Sequence, residues 1–279
     1  MPNIDSERGR EVATILHQAW MNGGFLNEQP QVPEAKPPEG VEIGSREHLL
    51  FLTLTVSIDY MRDADQLWNA ARATFNDPET CFLFFPERVV DEKFEVIRNN
   101  LQIHQLALRP ERDAKRWHTI AKTLHEYYHD SPLCFIESYG YDAPCIQNKL
   151  RDYANLFPGL SGDKISSLWL RILYRCANIP LNNLKKISIP VDTHIFRATI
   201  NTKVITGIED TLKEFLKPYV RLAWDLSLQN ADIMPLDIDE PLWHLSRKGC
   251  SEAKNNYCPR LNSCPVNNFC IFCTYRRGI

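Results

Sequence analysis

The sequence predicts an all-α protein, and two observations predict it. Apolar residues recur three and four positions apart along most of the chain, the spacing that gathers them on one face of a helix. Prolines stand just inside the start of several such segments, at Pro78, Pro86 and Pro110, where a missing N–H is harmless and the fixed φ suits a first turn.

Taken in order, residues 10–20 carry Val12, Ile15, Leu16, Ala19 and Trp20 mostly on one side and read as an amphipathic helix. From 27 to 44 the chain turns to Pro, Glu and Gln, which disfavours a helix and predicts a linker wrapped on the surface. Ser45 stands in a capping position before residues 49–58, a run rich enough in Thr and Val for a strand and long enough for a buried helix. Helical patterns continue at 62–75, at 81–84 behind Pro78, and at 89–99 behind Pro86. Residues 105–109 form a connector, Pro110 opens a helix through 114–129, and residues 138–142 form a loop whose tyrosines, with Tyr127 and Tyr128, read as packing at helix ends.

Two apolar-periodic segments then flank a glycine turn. Ile146, Leu150, Tyr153, Ala154 and Phe157 precede it, and Ile165, Leu168, Trp169, Ile172 and Leu173 follow it. The pattern is helix, tight turn, helix, with Gly159 and Gly162 expected to supply positive φ and close backbone approach. The second helix would begin with outward N–H groups able to bind phosphate without reading sequence. Lys164 sits at that helix start, where partial burial and the helix dipole are expected to lower its pKa and favour a nucleophilic amine. Asp192 sits at the N-cap of a helix begun by Val191-Asp192-Thr193-His194, where backbone N–H groups would hold it ionised. A carboxylate so placed can stabilise a cationic transition state or activate a nucleophile.

Further on, residues 208–228 are mostly helical in spacing around Pro218, and residues 236–245 lead into a cysteine cluster. Asp237, Asp239 and Glu240 read as a solvated acidic turn before a helix at Pro241. Five of the nine cysteines fall between 250 and 273, spaced Cys250-x7-Cys258-x5-Cys264-x5-Cys270-x2-Cys273. With no secretory signal, that count points to metal or cluster ligation rather than disulfides, and spacing alone leaves Zn(II) and a [4Fe-4S] cluster both open. Cys81, Cys134, Cys145 and Cys176 are scattered and read as buried thiols. The 279 residues, 44% hydrophobic and 24% charged, are those of a globular protein with no membrane span, and a cytosolic location is expected. A formal net charge of −3 gives no overall basic footprint, so any nucleic-acid surface must be local.

The runs FPGLSGDKIS and VDTHIFR resemble the helix-hairpin-helix glycosylases with a Gly/Pro-rich hairpin and a catalytic aspartate, the HhH-GPD superfamily, and within it the endonuclease III branch. Pro158, Gly159, Gly162, Lys164, Asp192, Thr193, His194 and Arg197 fall on the family's motif positions. Ser161 stands as a one-residue insertion; with that gap Lys164 matches the family's Schiff-base lysine, and without it Asp163 takes the place. The interval from Lys164 to Asp192 is longer than the family pattern, with the extra residues at 177–188. The resemblance implies a helix at 49–58, with Ile58 or Asp59 where relatives carry a base-gap-filling Gln. It also implies a two-domain all-α architecture: residues 1–44 as an N-terminal helix and linker docking on the C-terminal domain, residues 45–190 as a helical domain with the hairpin unit at about 146–176, and residues 191–279 as a C-terminal domain with a cluster loop at 250–273. The family's [4Fe-4S] loop implies Cys250, Cys258, Cys264 and Cys270 as ligands, with Cys273 an alternative to Cys270 and zinc the alternative metal. Arg247, Lys248, Lys254 and Arg260 would then touch DNA, as would the hairpin Gly159, Leu160, Ser161 and Gly162. The function implied is a monomeric base-excision glycosylase acting on double-stranded DNA with a damaged or mispaired base, using Asp192, with AP lyase activity through Lys164; the alternatives are a monofunctional glycosylase with Asp192-activated water and a non-catalytic DNA-binding protein on the same scaffold.

Overall fold

The computed structural model describes residues 2–208, 212–254 and 257–272. In chain order the helices are α1 (Ser6–Met21), α2 (Arg46–Ser57), α3 (Ala64–Asn76), α4 (Pro86–Val89), α5 (Phe94–Ile103), α6 (Pro110–Tyr127), α7 (Pro132–Ser138), α8 (Ala143–Asp152), α9 (Asp163–Cys176), α10 (Thr193–Asn201), α11 (Lys213–Leu228) and α12 (Asp239–Lys248). The only named strands among the described residues are β1 (Asn3–Ile4) and β2 (Ile205–Thr206), paired antiparallel. The fold is all-α. It divides into two compact units, one of Met1–Gln31 with Lys185–Ile279, the other of Val32–Leu184.

The Val32–Leu184 unit is built around α2. Every residue from His48 to Ser57 is buried, so the helix is enclosed on all sides and β-branched propensity is overridden by burial. Ser45 caps it by accepting from the His48 N–H. Trp169 of α9 donates to Thr53 Oγ1 at 3.0 Å, and Trp117 of α6 donates to the Leu83 carbonyl at 2.7 Å, so two fully buried indoles are also satisfied polar groups. The Pro- and Glu-rich stretch is not simply a surface wrapping: it turns through a 3-10 segment at Pro33–Ala35 and buries Glu34 against Arg171 of α9, both nearly fully buried. An arginine inside a packed helix face needs a desolvated counter-charge, and Glu34 supplies it.

At four places the local structure departs from, or adds to, what the sequence pattern predicts. The pattern at 89–99 is two helices, because Asp91, Glu92 and Lys93 are exposed, give no apolar contact to carry α4 onward, and α5 restarts at Phe94. A short helix, α7, precedes the 138–142 loop, with Ser131 accepting from the Leu133 N–H and Pro132 at its first position. The helix before the glycine turn stops at Asp152, and residues 153–162 form the turn. Of the scattered cysteines only Cys176 is buried, while Cys81, Cys134 and Cys145 are half-buried near helix ends.

The other unit packs α1 on α11 and α10 on α12. Val12, Ala13, Leu16 and Trp20 of α1 face inward with Val220, Ala223 and Trp224 of α11. Asp239 and Glu240 at the start of α12 are buried rather than solvated, and Glu240 accepts from Trp20 Nε1 at 3.3 Å.

Candidate active site

The glycine turn rests on the end of α2. Gly159 has φ +91°, and a Cβ built there would lie 2.2 Å from the Ser57 carbonyl oxygen, so both conformation and space demand glycine. Gly162 is different: its φ is −74°, nothing lies within 4 Å of a Cβ, and it is the N-cap of α9 without a side-chain cap. The expectation of positive φ at both glycines therefore holds for Gly159 alone. Leu160 is buried and anchors the turn, Ser161 is half-buried, and Gly162 is exposed beside the uncapped α9 start.

Lys164 is the second residue of α9. Its Nζ lies 3.2 Å from Asp59 Oδ2, just past the end of α2, while neighbouring Ile58 is buried. A nucleophilic amine needs a free lone pair, so this ion pair must part before Lys164 can attack anything. No local pattern signals the pairing, which spans 105 residues.

Asp192 belongs to the other unit and caps α10. Its Oδ1 accepts from the N–H groups of His194 at 2.7 Å and Ile195 at 2.8 Å. Oδ2 takes no hydrogen bond among the described residues, so the helix start fixes one carboxylate oxygen and not the other. Behind the cap, His194 Nδ1 and Arg197 Nη1 each lie 3.3 Å from Ser246 Oγ of α12. Lys213, the first residue of α11, donates to Thr193 Oγ1 at 3.3 Å. Burial, then Lys217 and Arg197, push its pKa below the usual lysine value, with Asp192 acting in the opposite direction. Neither Ser246 nor Lys213 is marked by any local pattern.

The structure brings Cys250, Cys258, Cys264 and Cys270 together around one small apolar cavity with Leu26, Leu245, Leu261 and Phe272. Burial pushes the Cys250 and Cys264 thiols up to about 12, and the neighbouring cysteines add to it; for Cys250, Asn201 of α10 opposes the rise. Cys273 lies outside the described residues. Among the described residues no three His, Cys, Asp or Glu side chains are set to hold a single metal ion. Of the basic residues near the cluster, Lys248 pairs with Glu28 and Arg260 with Glu252, while Arg247 lies over the Trp243 ring.

No protein-family profile and no curated protein matches the chain. Among solved structures it is similar to a trapped endonuclease III–DNA covalent intermediate, an estranged-adenine complex, with a TM-score of 0.56 at 14% identity, covering 99% of this chain and 100% of that one. It is equally similar to a non-covalent endonuclease III–DNA complex, with a TM-score of 0.56 at 15% identity and 99% of each chain covered. The chain has the endonuclease III fold. At such identity the likeness is one of fold, and the glycine turn, the Asp192 cap and the cysteine-lined cavity are described from this chain's own residues. No helix among the described residues is long and apolar enough to cross a membrane.

Proposed function

We propose that the protein is a DNA base-excision glycosylase that breaks the N-glycosidic bond of a damaged or mispaired base, with an AP lyase step through Lys164. The observation that carries this reading is the Asp192 cap, with one carboxylate oxygen held by two backbone N–H groups and the other open, on a chain that shares the endonuclease III fold from end to end. Such a carboxylate stabilises positive charge developing at C1′ as the base leaves, because its position is fixed before the reaction and needs no reorganisation. The Lys164 amine, once released from Asp59, attacks C1′; loss of its proton and opening of the sugar ring give an imine, which permits β-elimination of the 3′ phosphate. The turn at Gly159–Gly162 and the uncapped start of α9 hold a backbone phosphate through N–H groups.

The cysteine-lined cavity is where the [4Fe-4S] cluster implied by the resemblance would sit, each thiolate on a different iron, with zinc the alternative metal. Cys250, Cys258, Cys264 and Cys270 would hold it, and when bound it supplies local order rather than base-excision chemistry.

A second reading is favoured by the Lys164–Asp59 ion pair: a monofunctional glycosylase in which Asp192 activates water and Lys164 stays an ammonium on the DNA. The test of the primary assignment is base release from duplexes carrying a panel of lesions, comparing the unaltered protein with Asp192→Asn. Release that Asp192→Asn abolishes supports it; equal release by both removes Asp192 from the chemistry.

A further inference from the structure

Beside the glycine turn lies a group of arginines that the glycosylase chemistry leaves unused. Arg109, Arg112 and Arg116 stand at the start and along the first turns of α6, spaced so that they share one side. The guanidinium groups of Arg109 and Arg112 lie over the Tyr60 ring, 4.2 Å and 4.6 Å from its centroid. Arg116 touches the turn, its Cδ 3.5 Å from the Cβ position of Gly159. The nearby carboxylates offset this charge only in part, Asp113 through Arg112 itself and the others through cations outside the group. Buried Asp113 accepts from the Arg109 backbone N–H at 2.9 Å and meets Arg112 at 3.4 Å, Glu111 binds Arg98, and Asp59 binds Lys164. Burial lowers the Arg116 pKa, and repulsion from Arg112 and Arg109 lowers it further while Asp113 opposes. Three cations thus stand at the positive end of a helix against one carboxylate, Asp113, and an anion offsets the charge that remains.

We propose that Arg109, Arg112 and Arg116, with the first two ordered by Tyr60, form a phosphate-binding surface that extends the glycine turn and takes the backbone of duplex DNA. The proposal rests on the glycosylase reading for the identity of the polyanion. Stacking on Tyr60 removes rotamer freedom from two flexible side chains before the DNA arrives, so less ordering is needed on binding. It also makes the local basic surface that the negative net charge requires of any DNA-binding form of this chain.

The test is the salt dependence of binding to an undamaged duplex. It compares the unaltered protein, Arg109→Gln/Arg112→Gln/Arg116→Gln, and Tyr60→Ala, with melting temperatures checked first. In the arginine variant, the slope of log affinity against log salt should fall by about 0.9 for each phosphate that is no longer neutralised. Tyr60→Ala keeps both charges, so it should weaken binding with the slope retained. An unchanged slope in a folded arginine variant overturns the surface and leaves the glycosylase reading intact. Failure of the unaltered protein to bind duplex at any salt removes both.

Discussion

Gly159→Ala should unfold or badly loosen the Val32–Leu184 unit, whereas Gly162→Ala, three residues on, should be nearly silent. At Gly159 the new methyl would stand 2.2 Å from the Ser57 carbonyl oxygen, a backbone atom that cannot swing aside as a side chain can. Relieving that overlap by moving the turn away from α2 costs about 1–3 kcal/mol, as overpacking does. The backbone at φ +91° adds about 1–3 kcal/mol for any residue with a Cβ. Together these take about 2–6 kcal/mol from a domain whose whole stability is of the order of 5–15 kcal/mol. At Gly162, with φ −74° and open space around it, only the preference for Gly over Ala at an N-cap is lost, under about 1 kcal/mol. Urea denaturation of both variants, followed by duplex binding at a temperature where both are folded, makes the comparison. Equal destabilisation by the two substitutions would refute the packing of the turn on the end of α2.

Arg171→Met should cost about 3–5 kcal/mol in denaturant melts by leaving Glu34 charged and buried, and Arg171→Met with Glu34→Leu should recover most of it. Stability should fall as pH drops below the ordinary histidine value of 6.5, because burial lowers the His48 pKa and the unfolded chain takes up the proton first. The His48 ring supports that sign, since its Nδ1 accepts from the Gly44 N–H at 3.1 Å and cannot do so protonated; His48→Gln should flatten the acid limb of stability against pH. Metal and acid-labile sulfide analysis of the purified protein should find iron with sulfide rather than zinc, and Cys264→Ser should lose the iron while Cys176→Ser keeps it.

Much of this architecture is legible in the sequence because its signals are local. Ser45 capping α2, Pro110 opening α6 and Asp192 opening α10 each announce themselves by residue type next to an apolar-periodic run. The break between α4 and α5 is hidden because the pattern of apolar residues bridges it, and only the exposure of Asp91, Glu92 and Lys93 shows that nothing holds a helix there. The partner of Lys164 is illegible for a different reason: Asp59 meets it only through the packing of α2 on α9, and no spacing rule links residues so far apart. The same holds for Ser246 behind the Asp192 cap and for Arg116 against the glycine turn. Gly159 and Gly162 look alike in a hairpin motif, and only the fold distinguishes them, by the positive φ of Gly159 and the Ser57 carbonyl against it.

Lysine-dependent chemistry on DNA is open to sodium borohydride trapping on a duplex with one abasic site. The unaltered protein should form a covalent adduct whose proteolytic map places the DNA on the peptide containing Lys164, and Lys164→Ala should form none. An adduct that persists in Lys164→Ala, or its absence from the unaltered protein, would remove Lys164 as the nucleophile.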